Sequence, residues 1–264
     1  MADGSGPEPE LLVHDDGPVR ILTLNRPHRA NALNPSLRAL LMQAFVAAED
    51  DPSVRVIVLT ATGKAFCGGH DLKEQAGRDA TGSVLRAPTR GLERNICELL
   101  LETWKPTIAA VEGAAAGAGF EMALACDLRV ASETARFLLP EAKRGLGAQF
   151  GITMLPRVTT SALAFEILYT GDPIDAARAR EGGLVNQVVP AGQALVAALA
   201  LAHRIAGNAP VTLRRIKETI VRGTGLPTAA ALRLNEGLSP YDSEDRKEGV
   251  RAFLEKRPPV WKGR

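Results

Sequence analysis

The sequence predicts a mixed α/β chain with a helical last third. Three observations carry this. Short β-branched, apolar runs recur through the first two thirds, and stretches with three-four helical spacing separate them. From Gly192 to Lys256 the pattern is mostly helical. No segment repeats at a fixed period, and none is of low complexity.

The elements follow in order. Residues 17–25, GPVRILTLN, read as a strand. Asn34 caps a helix that begins with Pro35, a favoured placement, and Leu37, Leu40, Leu41, Ala44, Phe45 and Ala48 keep the helical spacing. Residues 54–60, VRVIVLT, are a buried-type strand ending at Thr62-Gly63-Lys64. Residues 73–90 are polar and read as a loop or weak helix. A helix through Leu92, Ile96, Leu99 and Leu100 stops at Pro106, and Thr107–Val111 is a strand. A Gly/Ala-rich turn leads into a small-residue helix that ends near Cys126. Two strands follow, Asp127–Ala131 and Ala135–Leu139, then helix over 150–170 and a strand at Leu184–Val189. These boundaries suggest a disordered N-terminus over 1–10, a core over 11–190 and a helical region over 191–264.

Composition narrows the function. With 264 residues and 45% hydrophobic content, a sizeable core is possible. A net charge of +2, from 32 basic and 30 acidic residues, argues against nucleic acid as the main partner. Cys67, Cys97 and Cys126 fit no metal pattern and are odd in number, so they read as buried, reduced thiols. No run approaches a membrane span and the N-terminus resembles no targeting segment, so the expected location is cytoplasmic, with no membrane partner.

Three segments carry candidate chemistry. Lys64-Ala-Phe-Cys-Gly-Gly-His-Asp-Leu72 follows a strand, and its paired glycines allow a sharp turn that exposes an amide. Val111-Glu-Gly-Ala-Ala-Ala-Gly-Ala-Gly-Phe-Glu-Met122 runs from strand through small residues into helix. It presents unpaired N–H groups that attract negative charge, although close packing explains small residues equally well. Phe137-Leu-Leu-Pro-Glu-Ala-Lys-Arg-Gly145 places Glu141 just after a strand. Taken alone, such a glutamate is usually a solvated surface residue.

The order of these segments, with the 20-residue step from Glu121 to Glu141, resembles the crotonase (enoyl-CoA hydratase/isomerase) family. So do Asn25-Arg-Pro-His-Arg-Ala-Asn-Ala-Leu33, Thr170-Gly-Asp-Pro-Ile, Gly183-Leu-Val-Asn-Gln-Val-Val189 and the ending Glu248-Gly-Val-Arg-Ala-Phe-Leu-Glu-Lys-Arg-Pro-Pro-Val-Trp261. The resemblance implies a spiral of ββα units with a helical C-terminal region that assists trimerisation, alone or as a hexamer built from two trimers. It implies hydration of a trans-2-enoyl-CoA, with the CoA thioester as substrate and no separate cofactor or metal. By motif position the oxyanion-hole amides fall on His70 and Ala118. The catalytic carboxyls fall on Glu121 and Glu141, and Glu121, in a first helical turn, is expected to be ionised. CoA contacts fall on Arg29, Ala30, Ala32, Gly68, Asp71 and Leu72.

Two positions depart from the family pattern. Ala118 stands where many members carry glycine, which keeps the N–H but restricts the backbone. Gln149 and Phe150 interrupt a usually glycine-rich run and add bulk at the acyl pocket. Isomerase, dehydratase, thioesterase or decarboxylase chemistry within the family, or non-catalytic acyl-CoA binding, therefore remains an alternative. A nicotinamide dehydrogenase is disfavoured. Its Tyr-x-x-x-Lys pair is missing, because Pro173 and Asp245 stand four residues after Tyr169 and Tyr241. His14, His28 and His203 read as surface residues.

Overall fold

The computed structural model describes residues 8–71, 95–234 and 237–264. β1 (Leu11–Asp16) and β2 (Val19–Leu24) form a hairpin, and α1 (Pro35–Asp50) leads to β3 (Val56–Ala61) and β4 (Ala65–Cys67). After α2 (Ile96–Leu101) come β5 (Thr107–Val111), β6 (Ala114–Ala116) and α3 (Ala118–Ala125). Next are β7 (Leu128–Ser132), β8 (Arg136–Leu138), α4 (Gln149–Val158), α5 (Ser161–Thr170), β9 (Ile174–Asp175), α6 (Ala176–Glu181) and β10 (Gln187–Val189). The C-terminal region holds α7 (Ala194–Ala206), α8 (Pro210–Gly223), α9 (Thr228–Ala231) and α10 (Glu244–Glu255).

Among the described residues the strands form two sheets, in the orders β1-β2-β3-β5-β7-β10 and β4-β6-β8-β9. The larger sheet is parallel except at its β1 edge, and the smaller is parallel except for β9. Each pair β3–β4, β5–β6 and β7–β8 carries the chain from the larger sheet to the smaller. This is the ββα spiral that the resemblance implies. Its consequence for function is that the loops after β4, β6 and β8 sit side by side.

Both faces of the larger sheet are buried, as a parallel sheet requires. Ile57, Leu59, Ala109 and Val111 face the main core, whereas Val56, Val58, Ile108 and Ala110 face the other way. That second face is covered by α7, whose Ala194, Ala198, Ala202 and Ala206 recur every four residues. The alanine stripe lets the helix lie close to the sheet. The region beyond residue 190 thus contributes its first helix to the packing of the core.

Several local readings hold. The Asn34 side chain accepts a 2.7 Å bond from the Leu37 N–H ahead of Pro35, a cap worth about 1 kcal/mol. Cys67, Cys97 and Cys126 are free and buried, and burial pushes Cys67 and Cys126 up to about 12, which leaves them unreactive. No single described helix is long and apolar enough to cross a membrane.

Other readings change. Strands β1, β4, β6 and β9 were not anticipated. β1 is an edge strand with five of its six residues exposed, and the other three are too short to show a period. The helix expected over 150–170 is two, because the Thr160 side chain caps a new helix at Leu163. The disordered start expected over 1–10 ends sooner: Glu10 forms an ion pair with Arg26 at 2.8 Å and accepts from the Asn34 side chain at 2.9 Å. The loop expected over 73–90 lies outside the described residues.

Candidate active site

The site assembles where the β4, β6 and β8 loops meet. After β4, Gly69 has φ +91, a conformation open to glycine, and reverses the chain. His70 then forms a parallel bridge with Leu33: Leu33 donates to the Gly69 carbonyl at 2.7 Å and Asp71 donates to the Leu33 carbonyl at 3.2 Å. This pairing uses the groups on either side of His70 and turns the His70 N–H to the opposite side.

After β6, Gly117 has φ 52 and ψ −126, and Ala118 opens α3. Neither the His70 nor the Ala118 N–H has an acceptor among the described residues. The two lie close together, because a Cβ added to Gly69 would stand 3.5 Å from the Ala118 nitrogen. Ala118 sits in an ordinary helical position, so its side chain does not disturb the amide, and the departure from glycine is tolerated.

Every α3 residue is buried except Glu121. A partly exposed carboxylate on an otherwise enclosed helix is the informative kind of polar residue. Burial raises its pKa, and N–H groups of Gly151 and Phe150 oppose that rise. The Gly151 N–H donates to Glu121 Oε1 at 2.8 Å. The residue before α4, Ala148, offers no side-chain cap, so Glu121 serves α4 in its place. The expectation traced the ionised form of Glu121 to its own helix; in the structure burial raises its pKa, and the donors that favour the carboxylate come from α4.

Glu141 begins the short turn after β8. Burial raises its pKa first; its own N–H and Arg144 oppose this, and the charge of Glu121 adds to it. Its Oε2 is buried with no hydrogen-bond partner. A Cβ on Gly117 would stand 2.8 Å from Glu141 Oε1, so the carboxyl lies directly against the Ala118 turn.

The segment 25–33 flanks the first turn. Pro27–Arg29 is a single 3-10 turn, and the Ala30 carbonyl accepts from the Gly68 N–H at 2.8 Å. Arg29 and Ala30 are exposed and Ala32 is half-buried, so Arg29, Ala30, Ala32 and Gly68 form one ledge beside the His70 turn. Asp71 joins the backbone ledge, but its carboxylate faces buried Arg26 at 3.7 Å. Leu72 lies outside the described residues. Gln149 and Phe150 are brought to the site as the start of α4. Gln149 is exposed, Phe150 packs on the core, and the Phe150 N–H faces Glu121.

Arg26, Asn31 and Gly151 were missed by sequence reasoning. Asn31 carried a legible signal, an asparagine flanked by small residues in a tight segment, where the left-handed conformation is common. Gly151 carried none beyond being a glycine. The His70 ring keeps solvent contact, yet partial desolvation and then the charge of Arg38 lower its pKa. Of the other histidines, His203 binds Asp16 at 2.9 Å on the surface.

The family model for enoyl-CoA hydratase/isomerase matches residues 15–264. Enoyl-CoA hydratase EchA19 of Mycobacterium tuberculosis is 38% identical over 262 residues, which is 97% of each chain. The 2,3-dehydroadipyl-CoA hydratase of Escherichia coli is 39% identical over 258 residues, covering 97% of this chain and 99% of that one. The crystal structure of an enoyl-CoA hydratase from Bacillus anthracis superposes with a TM-score of 0.88 at 34% identity, covering 97% and 100%. The relatives, together with two neighbouring amides, two half-buried carboxyls and the spiral that joins them, place the chain among the hydro-lyases of the crotonase type. The chain belongs to the enoyl-CoA hydratase/isomerase family.

Proposed function

We propose that the protein is an enoyl-CoA hydratase that adds water reversibly, in syn fashion, to a trans-2-enoyl-CoA and gives a 3-hydroxyacyl-CoA. One observation carries this reading: two amides without acceptors among the described residues and two carboxyls of raised pKa converge where three loops meet. The thioester oxygen gains negative charge as water attacks C3. Fixed N–H groups at His70 and Ala118 stabilise that charge more than the ground state, at about 3 kcal/mol each.

The carboxyls differ in their surroundings, and this divides the work. Glu121 has two N–H donors, which favour the carboxylate, so it takes the proton from water. Glu141 has one buried oxygen without a donor and feels the charge of Glu121, both of which favour its protonated form, so it is the carboxyl assigned to deliver a proton to C2. The water oxygen bonds to C3, one water proton goes to Glu121 and the Glu141 proton goes to C2. Passing a proton from Glu121 to Glu141 restores the starting state.

Incubating a 2-enoyl-CoA in heavy-oxygen water tests this. Label at C3, lost in Glu121→Gln and Glu141→Gln, is expected. A shifted double bond without label means isomerisation and overturns the reading. The CoA moiety is proposed to lie on the Arg29–Ala32 and Gly68 ledge, with phosphates near Arg29. Acetoacetyl-CoA giving no heat on titration would refute that placement.

The functional unit is proposed to be a trimer or a dimer of trimers. Large apolar side chains remain exposed in the C-terminal region, among them Ile220, Leu232, Tyr241, Phe253 and Leu254. Such a concentration marks an association surface. Light scattering showing only monomer at micromolar concentration would count against it.

A further inference from the structure

We propose that Asn31 is a positioning residue for the reaction, holding the segment that aims the His70 N–H. The inference rests on the reading of His70 as an oxyanion donor, and it adds a residue for which no such role has been established. Asn31 is fully buried, with φ 54, in a left-handed conformation that asparagine adopts more readily than most residues. All of its side-chain capacity that matters here is engaged. Oδ1 accepts from the Arg26 N–H at 2.7 Å, and Nδ2 donates to the carbonyls of Thr62 and Ala65, each at 2.8 Å. One side chain therefore ties the start of the segment to both ends of the β3–β4 turn.

The geometry follows link by link. With Asn31 fixed, its neighbours Ala30 and Leu33 are fixed as well. They make three backbone bonds to the stretch from Gly68 to Asp71: Gly68 N–H to the Ala30 carbonyl, Leu33 N–H to the Gly69 carbonyl, and Asp71 N–H to the Leu33 carbonyl. His70 hangs in the middle of that seam, with its own N–H pointing away from it. The orientation of the amide is thus set by backbone pairing alone, and the pairing strand is held by Asn31. Arg26 adds a second tie, through the Ala32 carbonyl and Glu10. Asn31 touches no reacting atom, so its effect passes through His70. Displacing a catalytic donor by about 1 Å costs on the order of a hundredfold in rate.

The test reads the amide directly. The protein binds butanoyl-CoA carrying carbon-13 at the thioester carbonyl, which has no double bond to hydrate, and infrared difference spectroscopy records the carbonyl stretch. Wild type is expected to shift the stretch down, as two donors require. Asn31→Gly keeps the left-handed backbone free of strain and removes all three side-chain bonds. It is expected to lose roughly half of the shift and about a hundredfold in kcat, with KM changed less than about threefold. Val56→Ala, in the sheet face covered by α7, serves as a control for lost stability and is expected to keep the full shift.

Each outcome separates the ideas. No shift in wild type overturns the oxyanion reading itself. A full shift in wild type and in Asn31→Gly overturns the role of Asn31 alone, as does an equal loss in Val56→Ala. If Asn31→Gly does not fold, Asn31→Ser, which keeps an acceptor for the Arg26 N–H, carries the same comparison. Failure of both to fold shows that Asn31 serves the fold as a whole and overturns the narrower role.

Discussion

Replacing Gly119 with alanine tests how tightly the proposed oxyanion donor at Ala118 is tied to the sheet beneath it. A Cβ on Gly119 would stand 2.3 Å from the Cys67 carbonyl oxygen and 2.6 Å from the Cys67 Cβ. Real Cβ contacts essentially never fall below 3.0 Å, and the obstacle includes backbone, so α3 must retreat from β4 by several tenths of an ångström at least. Two effects on stability oppose each other. Alanine improves helix propensity by about 1 kcal/mol, whereas overpacking costs roughly 1–3 kcal/mol. Net destabilisation is therefore small, about 1 kcal/mol. The effect on rate is large, because the retreat carries the Ala118 N–H and Glu121 with it. A displacement approaching 1 Å costs about a hundredfold in turnover. The assay is steady-state hydration of crotonyl-CoA beside a urea unfolding curve. Gly207→Ala serves as control, because Gly207 has φ −70 and its nearest contact is an ordinary 3.4 Å. If Gly119→Ala keeps wild-type kcat while its unfolding midpoint falls, the coupling of α3 position to catalysis is wrong.

Four further outcomes are expected. Glu121→Gln and Glu141→Gln each lower kcat at least ~10²-fold with CoA affinity nearly unchanged, measured by turnover and calorimetry. His70→Ala keeps substantial activity because alanine supplies the same N–H; a loss beyond roughly a thousandfold would assign the work to the imidazole. Glu141→Gln raises the melting temperature at neutral pH. The carboxyl binds its proton more tightly folded than unfolded, so wild-type stability falls as pH rises through the window above the ordinary 4.5, and the advantage of glutamine disappears below it. Lys217→Ala lowers stability by about 1–2 kcal/mol in urea titration, because buried Lys217 pairs with Asp127 at 2.9 Å and the change leaves that half-buried carboxylate with its Thr107 donors alone.

Much of the fold was legible because its signals are local. Asn34-Pro35 announced α1, and the parallel strands β3 and β5 read as continuous apolar runs because both of their faces are buried. The second sheet was legible only at β8. Its strands are two or three residues long and owe their existence to pairing across loops, which sequence spacing does not show. At the site, the glycine pairs marked the turns, and the step from Glu121 to Glu141 gained meaning only from the resemblance. The donors to Glu121 were not legible for a physical reason. A helix N-terminus is visible in sequence, but which carboxylate it faces is a tertiary fact, and α4 faces Glu121 from thirty residues away.

The distribution of satisfied and unsatisfied polar groups supports the same conclusion. Elsewhere among the described residues most buried polar side chains are paired, and the exceptions, Glu10 Oε2 and Arg26 Nε, belong to one ion pair. Arg129 donates to the carbonyls of Leu184, Ala123 and Cys126, and Lys217 reaches Asp127 and the Leu100 and Lys105 carbonyls. Asn31 makes three bonds. Two amides without acceptors among the described residues and the Oε2 of Glu141 have no such charged partner, and all three lie around Gly117. A folding chain gains nothing from leaving them unmade, since each unsatisfied buried group costs about 1–3 kcal/mol. Their coincidence at one place is explained if a ligand completes them. The two donors require an oxygen that accumulates charge, and the lone carboxyl oxygen requires a proton or a water. A thioester carbonyl with an attacking water supplies both. At Ala118 and Phe150 the departures keep the backbone N–H groups that the proposed chemistry uses, one at the Gly117 turn and one facing Glu121.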